Sequence, residues 1–141
     1  MEKKYLEKLL ELADQAYEKE EAPISAIIVY KNEIIAEAYN ERNSSNSTIS
    51  HAEIKTIEIA NQKLKSWRLN NCTMYVTMKP CEMCEKVIKE ARIDKVFYLV
   101  EREENKKQYN KTEFIKNESL RDDKLIKNYK NLLTNFWKNK R

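Results

Sequence analysis

From its first residues the chain sets hydrophobic positions at helical spacing: Tyr5, Leu6, Leu9, Leu10, Ala13, Ala16 and Tyr17, with charged side chains between them. That period predicts an amphipathic helix over residues 2–19 whose stripe belongs to a core. Pro23 then breaks the chain before Ile24 to Tyr30, a β-rich run, and Lys31-Asn32-Glu33 turns it back into Ile34 to Tyr39, the pattern of a hairpin. Residues 40–50 are rich in Asn and Ser and end on Ser50, a residue type that caps helices, ahead of a helix starting near His51. Ile54, Ile57, Ala60 and Leu64 mark its buried face. Thr73 to Met78 reads as a strand. Pro80 stops that strand and suits the first turn of a third helix, lined inside by Cys81, Cys84, Val87, Ile88 and Ala91. Lys95 to Val100 is a further strand.

The order helix, strand, helix, strand from residue 51 predicts parallel pairing with right-handed crossovers and a sheet held between helices, an α/β fold of three layers, α-β-α. Residues 101–123 are charged and weakly patterned, with at most a short strand at Thr112 to Ile115. Leu125, Ile126, Tyr129, Leu132, Leu133, Phe136 and Trp137 restore a helical stripe, and Lys124, Lys127, Lys130 and Lys138 lie off it. The expectation is one domain, residues 1–141, closed by a basic C-terminal helix.

Composition narrows the chemistry. A chain of 141 residues buries roughly two thirds of its unfolded surface, so it needs no disulfide staples. Cys72, Cys81 and Cys84 are an odd number, and Met1-Glu2-Lys3-Lys4 leads into an amphipathic pattern instead of an apolar leader. A reducing, cytoplasmic setting is expected. The longest apolar run, Ala26 to Tyr30, is far short of the ~20 residues of a membrane span. Net charge is +4, and it gathers late: residues 1–100 hold 15 Lys+Arg against 16 Asp+Glu, and residues 101–141 hold 12 against 7. The basic tail permits contact with a polyanion such as RNA, although a solvated lysine-rich surface has the same composition. Glycine is absent altogether, where average usage predicts about ten. Asparagine, which tolerates the left-handed backbone region, is the expected substitute in tight turns.

Two short motifs carry the chemistry: His51-Ala52-Glu53 at the start of one predicted helix and Pro80-Cys81-Glu82-Met83-Cys84 at the start of the next. Residues three apart on a helix share a face, so Cys81 and Cys84 can meet one ion, with His51 supplying a nitrogen from the neighbouring helix. Three protein ligands leave a fourth position for water, as in catalytic zinc sites. Both helix N-termini favour thiolate over thiol. Glu53 points away from the histidine and is free to shuttle protons as general acid and base. Taken singly, the cysteines fit a redox pair, His51 a core histidine and Glu53 a first-turn acid. Together they form the known signature of zinc nucleobase deaminases. Cys72 has no partner at ligand spacing and reads as a small buried hydrophobe.

With these motifs in view, the chain resembles the bacterial tRNA-specific adenosine deaminases, from Ala13 to Val100. The resemblance runs through Ala22-Pro23-Ile24, Tyr39-Asn40, His51-Ala52-Glu53, Trp67-Arg68-Leu69, Met74 to Met78, Pro80 to Cys84 and Ala91-Arg92-Ile93. It implies a cytidine-deaminase-like fold with a mixed sheet of about five strands, one zinc ion per chain, and a homodimer. It also implies conversion of the wobble adenosine of a tRNA anticodon stem-loop to inosine. Asn40 would contact the target nucleoside, and Ala22, Pro23 and Ile24 would wall the base pocket. Trp67 is also expected in the core. The chain departs from the family pattern at Ser25, where a glycine is usual, at Thr48-Ile49-Ser50, at Lys79, and at Glu101 to Asn110, which replaces a glycine- and serine-rich loop. Two rivals stay open: a deaminase of a free base or nucleoside, and a non-catalytic, zinc-stabilised RNA-binding module.

Overall fold

The computed structural model describes residues 2–102, 109–117 and 122–139, and the chain divides into two compact units, Met1–Glu104 and Asn105–Arg141. In the first unit helix α1 (Lys3–Glu18) precedes strands β1 (Ser25–Tyr30) and β2 (Glu33–Tyr39). Helix α2 (Ala52–Leu64), strand β3 (Cys72–Met78), helix α3 (Glu82–Glu90) and strand β4 (Lys95–Val100) follow. The second unit contains helix α4 (Asp123–Asn139).

The sheet order is β2-β1-β3-β4, with β1 antiparallel to both neighbours and β3 parallel to β4. Alternation along β1 sets the layers, because successive side chains on a strand point to opposite faces. Ile27 and Val29 pack with Tyr5, Leu9 and Leu12 of α1. Ile28 faces the other way, into a cluster with Ile57 and Ala60 of α2 and Ile88 of α3, and Ala26 meets Ala52 on that same side. One helix therefore covers one face and two helices the other, the three layers expected. A β-bulge at Ile28/Val29 leaves Ile35 as the extra residue of β2. Cys72 is fully buried in the same cluster as Ile28, as its sequence context suggests.

The fold corrects several expectations. The resemblance implies about five strands, whereas the sheet has four among the described residues. Thr112 to Ile115 forms no strand: its apolar residues, Phe114 and Ile115, are adjacent instead of alternating, so no single face can be buried, and both are exposed. Of Glu101 to Asn110, residues 103–108 lie outside the described residues. The pattern along α1 points to Leu10 and Tyr17 and passes over Leu12, but the buried face is Tyr5, Leu9, Leu12, Ala13 and Ala16, and Leu10 and Tyr17 are exposed. Trp67 is 53% exposed, and fully buried Leu69 fills the core position. Trp67 instead meets two guanidiniums, Arg68 at 4.2 Å and Arg92 at 5.5 Å from the ring centroid.

Left-handed backbone occurs at Glu20, Lys31, Asn32, Asn46, Lys65, Asn71 and Arg92 among the described residues. Asparagine takes three of these positions, as expected, and charged residues take the other four. Lys31 and Asn32 together make the two-residue hairpin turn with positive φ at both positions. Glu20, Lys65 and Arg92 each follow a helix, and each is bracketed by the paired bonds of a Schellman motif. For α2 these are Lys65 N–H to Gln62 O (3.3 Å) and Ser66 N–H to Asn61 O (3.1 Å); for α3 they are Arg92 N–H to Lys89 O (3.1 Å) and Ile93 N–H to Ile88 O (3.4 Å).

Candidate active site

Strand register brings the sequence-predicted site residues to one end of the sheet. Ser25 pairs with Tyr39 and Ala26 with Val76, so the segment entering β1 and the segments leaving β2 and β3 emerge side by side. That end carries Ala22, Pro23 and Ile24, then Asn40, then Pro80 and Cys81. Helix α2 starts there too, because its first N–H, on Ala52, donates to Asn40 Oδ1 at 2.7 Å in a buried bond. The expected cap, Ser50, does not act as one: it accepts a bond from the Ser45 hydroxyl at 3.1 Å. A side chain twelve positions earlier reaches the helix start first.

His51 and Cys81 occupy the N-cap positions of α2 and α3 with extended backbone, and neither side chain caps its own helix. They turn toward each other. Cys84 Sγ lies 3.4 Å and Cys81 Sγ 3.7 Å from His51 Nδ1, and all three residues are buried. A tetrahedral ion with Zn–S of about 2.3 Å and Zn–N of about 2.0–2.1 Å sets each sulfur about 3.6 Å from the nitrogen. The three donor atoms, within 4.8 Å of one another, therefore fit one such metal ion. Pro80 precedes the N-cap instead of opening the helix; it ends β3 and delivers Cys81 to α3.

The electrostatics of the pocket also ask for a cation. A hydrogen bond with Cys81, then burial and the neighbouring Glu53, pushes the Cys84 thiol far up. Burial pushes the Glu53 carboxyl up. Glu53 is 1% exposed, and its Oε1 has no hydrogen-bond partner. Two acidic groups raised side by side, Glu53 and Cys84, hold their protons more firmly unless a positive charge shares the pocket.

Of the remaining predicted residues, Asn40 is buried, and its N–H donates to Ile24 O at 3.0 Å. Ile24 is half-buried against the cluster of Ala26, Ala52 and Val76, while Ala22 and Pro23 are exposed. Ser25, standing where glycine is usual, donates its hydroxyl to Leu9 O of α1 at 2.6 Å and its N–H to Thr77 Oγ1 at 3.1 Å. Glu21, to which hydrophobic periodicity assigns no role, is a buried carboxylate at this end.

The profile of the MafB19-like deaminases matches residues 1–141, the whole chain, and with it the His51, Cys81 and Cys84 cluster. The chain belongs to the MafB19-like deaminase family. This MafB19-like deaminase is 40% identical over 94 residues to the tRNA-specific adenosine deaminase of Bacillus subtilis (strain 168), over 67% of its own length and 58% of that relative. It thus spans about three fifths of the curated relatives it matches first. A solved structure of a tRNA:A34 deaminase, studied for A-to-I editing at the wobble position, superposes with a TM-score of 0.68 at 36% identity. That match covers 70% of this chain and 75% of the other. The guanine deaminase of Bacillus subtilis gives a TM-score of 0.68 at 34% identity, covering 72% and 66%. The α/β cytidine-deaminase-like fold expected from the resemblance is the fold observed. No helix among the described residues is long and apolar enough to cross a membrane.

Proposed function

We propose that this protein is a zinc-dependent deaminase that converts adenosine to inosine in RNA, at the wobble position of a tRNA anticodon stem-loop. The observation that carries the reading is the buried Glu53 oxygen left without a partner beside three donor atoms spaced for one tetrahedral ion. His51 Nδ1, Cys81 Sγ and Cys84 Sγ hold one zinc per chain. When bound, zinc supplies the Lewis acidity that lets water ionise near neutral pH. Glu53 accepts the proton from the attacking water, passes it to the ring nitrogen beside the reacting carbon, and returns a proton to the departing amine. Adenosine and water thus become inosine and ammonia. Burial raises the Glu53 carboxyl above its ordinary range.

Asn40 binds the nucleoside: its amide oxygen is engaged by Ala52, which leaves the NH2 as donor toward a ligand acceptor. Ala22, Pro23 and Ile24 wall the base. Residues 1–141 act as one deaminase domain in a cytoplasmic homodimer, and the basic tail approaches the RNA. The relatives named for tRNA support the substrate.

The test incubates zinc-loaded protein with a tRNA anticodon stem-loop and, separately, with adenosine, guanine and cytidine, and reads products by mass spectrometry. Inosine in the RNA is the expected outcome. The likeness to a guanine deaminase favours one second reading: xanthine from guanine with the RNA untouched would establish it. A zinc-replete sample silent on every substrate would leave only a non-catalytic RNA-binding module.

A further inference from the structure

We propose that Glu21 is a positioning residue that locks the β2–α2 loop to the pocket wall, so that an extended RNA substrate meets a preformed rim. The inference rests on the deaminase reading above. Glu21 sits one residue before Ala22-Pro23-Ile24 and is only 4% exposed. Its carboxylate accepts two backbone N–H groups from the far side of the site, Asn43 to Oε1 at 3.0 Å and Ser44 to Oε2 at 2.7 Å. These bonds, the Asn43 one first, hold its carboxyl below the usual range against the opposing effect of burial, with Lys55 adding to the same direction.

The loop so gripped is closed on itself and pinned a second time. Glu41 N–H donates to Ser50 O at 3.0 Å, and the Glu41 carboxylate pairs with Lys55 of α2 at 2.6 Å. Asn40 at its base bonds Ile24 and caps α2. Glu21 therefore joins two strand-end segments that flank the metal cluster, through two acceptors on one rigid group. A carboxylate does this and a carboxamide cannot, because one of the two N–H groups would face an NH2. Residues 42–46 are exposed at this end of the sheet. A substrate that extends well beyond the flanking nucleotides, as a stem-loop does, reaches them, whereas a trinucleotide ends inside.

The test compares Glu21→Gln and Glu21→Asp with wild type by three measurements. Zinc content and thermal midpoint confirm folding. Hydrogen exchange of residues 42–47 reads the clamp without any turnover, and faster exchange is expected in Glu21→Gln, with partial recovery in Glu21→Asp. Kinetics then use a full anticodon stem-loop and a trinucleotide centred on the adenosine. In Glu21→Gln, KM for the stem-loop rises about tenfold with kcat changed less than threefold, and KM for the trinucleotide rises less than threefold. Glu21→Asp recovers part of the stem-loop KM. Unchanged exchange in Glu21→Gln overturns the clamp. Equal KM changes on both substrates, or a fall in kcat alone, overturn the rim. A wild-type protein silent on both substrates overturns the RNA-deaminase reading and the substrate role with it, while the exchange data still decide the clamp.

Discussion

Helices α2 and α3 end in opposite ways, and the contrast separates chemistry from architecture. At their N-termini, residues that would ordinarily cap are turned elsewhere: His51 and Cys81 hold the N-cap positions and aim their side chains at a shared point. Helix α2 then borrows its cap from Asn40. At their C-termini, both helices close with full Schellman bonding, yet Lys65 and Arg92 adopt the left-handed conformation that glycine takes most readily. The first pair of ends gives up local stability for a site. The second pair satisfies its backbone groups and carries only the steric cost of a Cβ, because in a chain without glycine lysine and arginine stand at these two positions.

Substitutions at the two kinds of end should therefore behave differently. Cys84→Ala removes a donor atom from the N-terminal cluster and should lose both bound metal, read by atomic absorption, and inosine formation; retained stoichiometric metal would contradict the ligand assignment. Glu53→Ala should slow turnover by ~10²–10⁴ while metal content stays at the wild-type level, as expected for a proton shuttle that is not a ligand. Loss of the ion in that variant would place Glu53 among the ligands. Asn40→Ala should cost about 1 kcal/mol in urea unfolding through the lost cap of α2. Asn40→Asp keeps an acceptor oxygen, so it should recover stability without recovering substrate affinity. At the other ends, Lys65→Gly or Arg92→Gly should change little or stabilise by roughly 0.5–1 kcal/mol, since relief of the left-handed penalty outweighs the added freedom of the unfolded chain. The smallest effect belongs to Ser50→Ala, expected within about 0.5 kcal/mol because Ser50 caps nothing; a loss of a full cap's worth would restore it to that role.

Much of this site is legible in the sequence because its chemistry is local. Cys81 and Cys84 lie three apart at the start of one helix, so their shared face follows from period, and their grouping with His51 and Glu53 follows from the known signature the two short motifs make together. The missed features depend on distance along the chain. Asn40 reaches Ala52 across twelve residues, and Glu21 reaches Asn43 across twenty-two. No spacing rule links such pairs until the strands are paired. Trp67 was an error of another kind, since hydrophobicity pointed inward while two nearby guanidiniums gave its ring a partner outside. The short pattern at Thr112 to Ile115 lacked the alternation a strand requires, and no strand formed.

Strand β1 is flanked on both sides, and its two ends have very different tolerances. The tip at Lys31 and Asn32 lies at the end of the sheet away from His51, Cys81 and Cys84, just past the β1–β3 pair of Tyr30 with Cys72. A fluorophore, epitope or short spacer spliced into that tip should leave the protein intact. A single residue inserted between Ser25 and Tyr30 would instead roll the upstream chain onto the opposite face of the sheet. Anyone wishing to tether or label this protein has a permissive address just beyond a six-residue strand and a forbidden one within it.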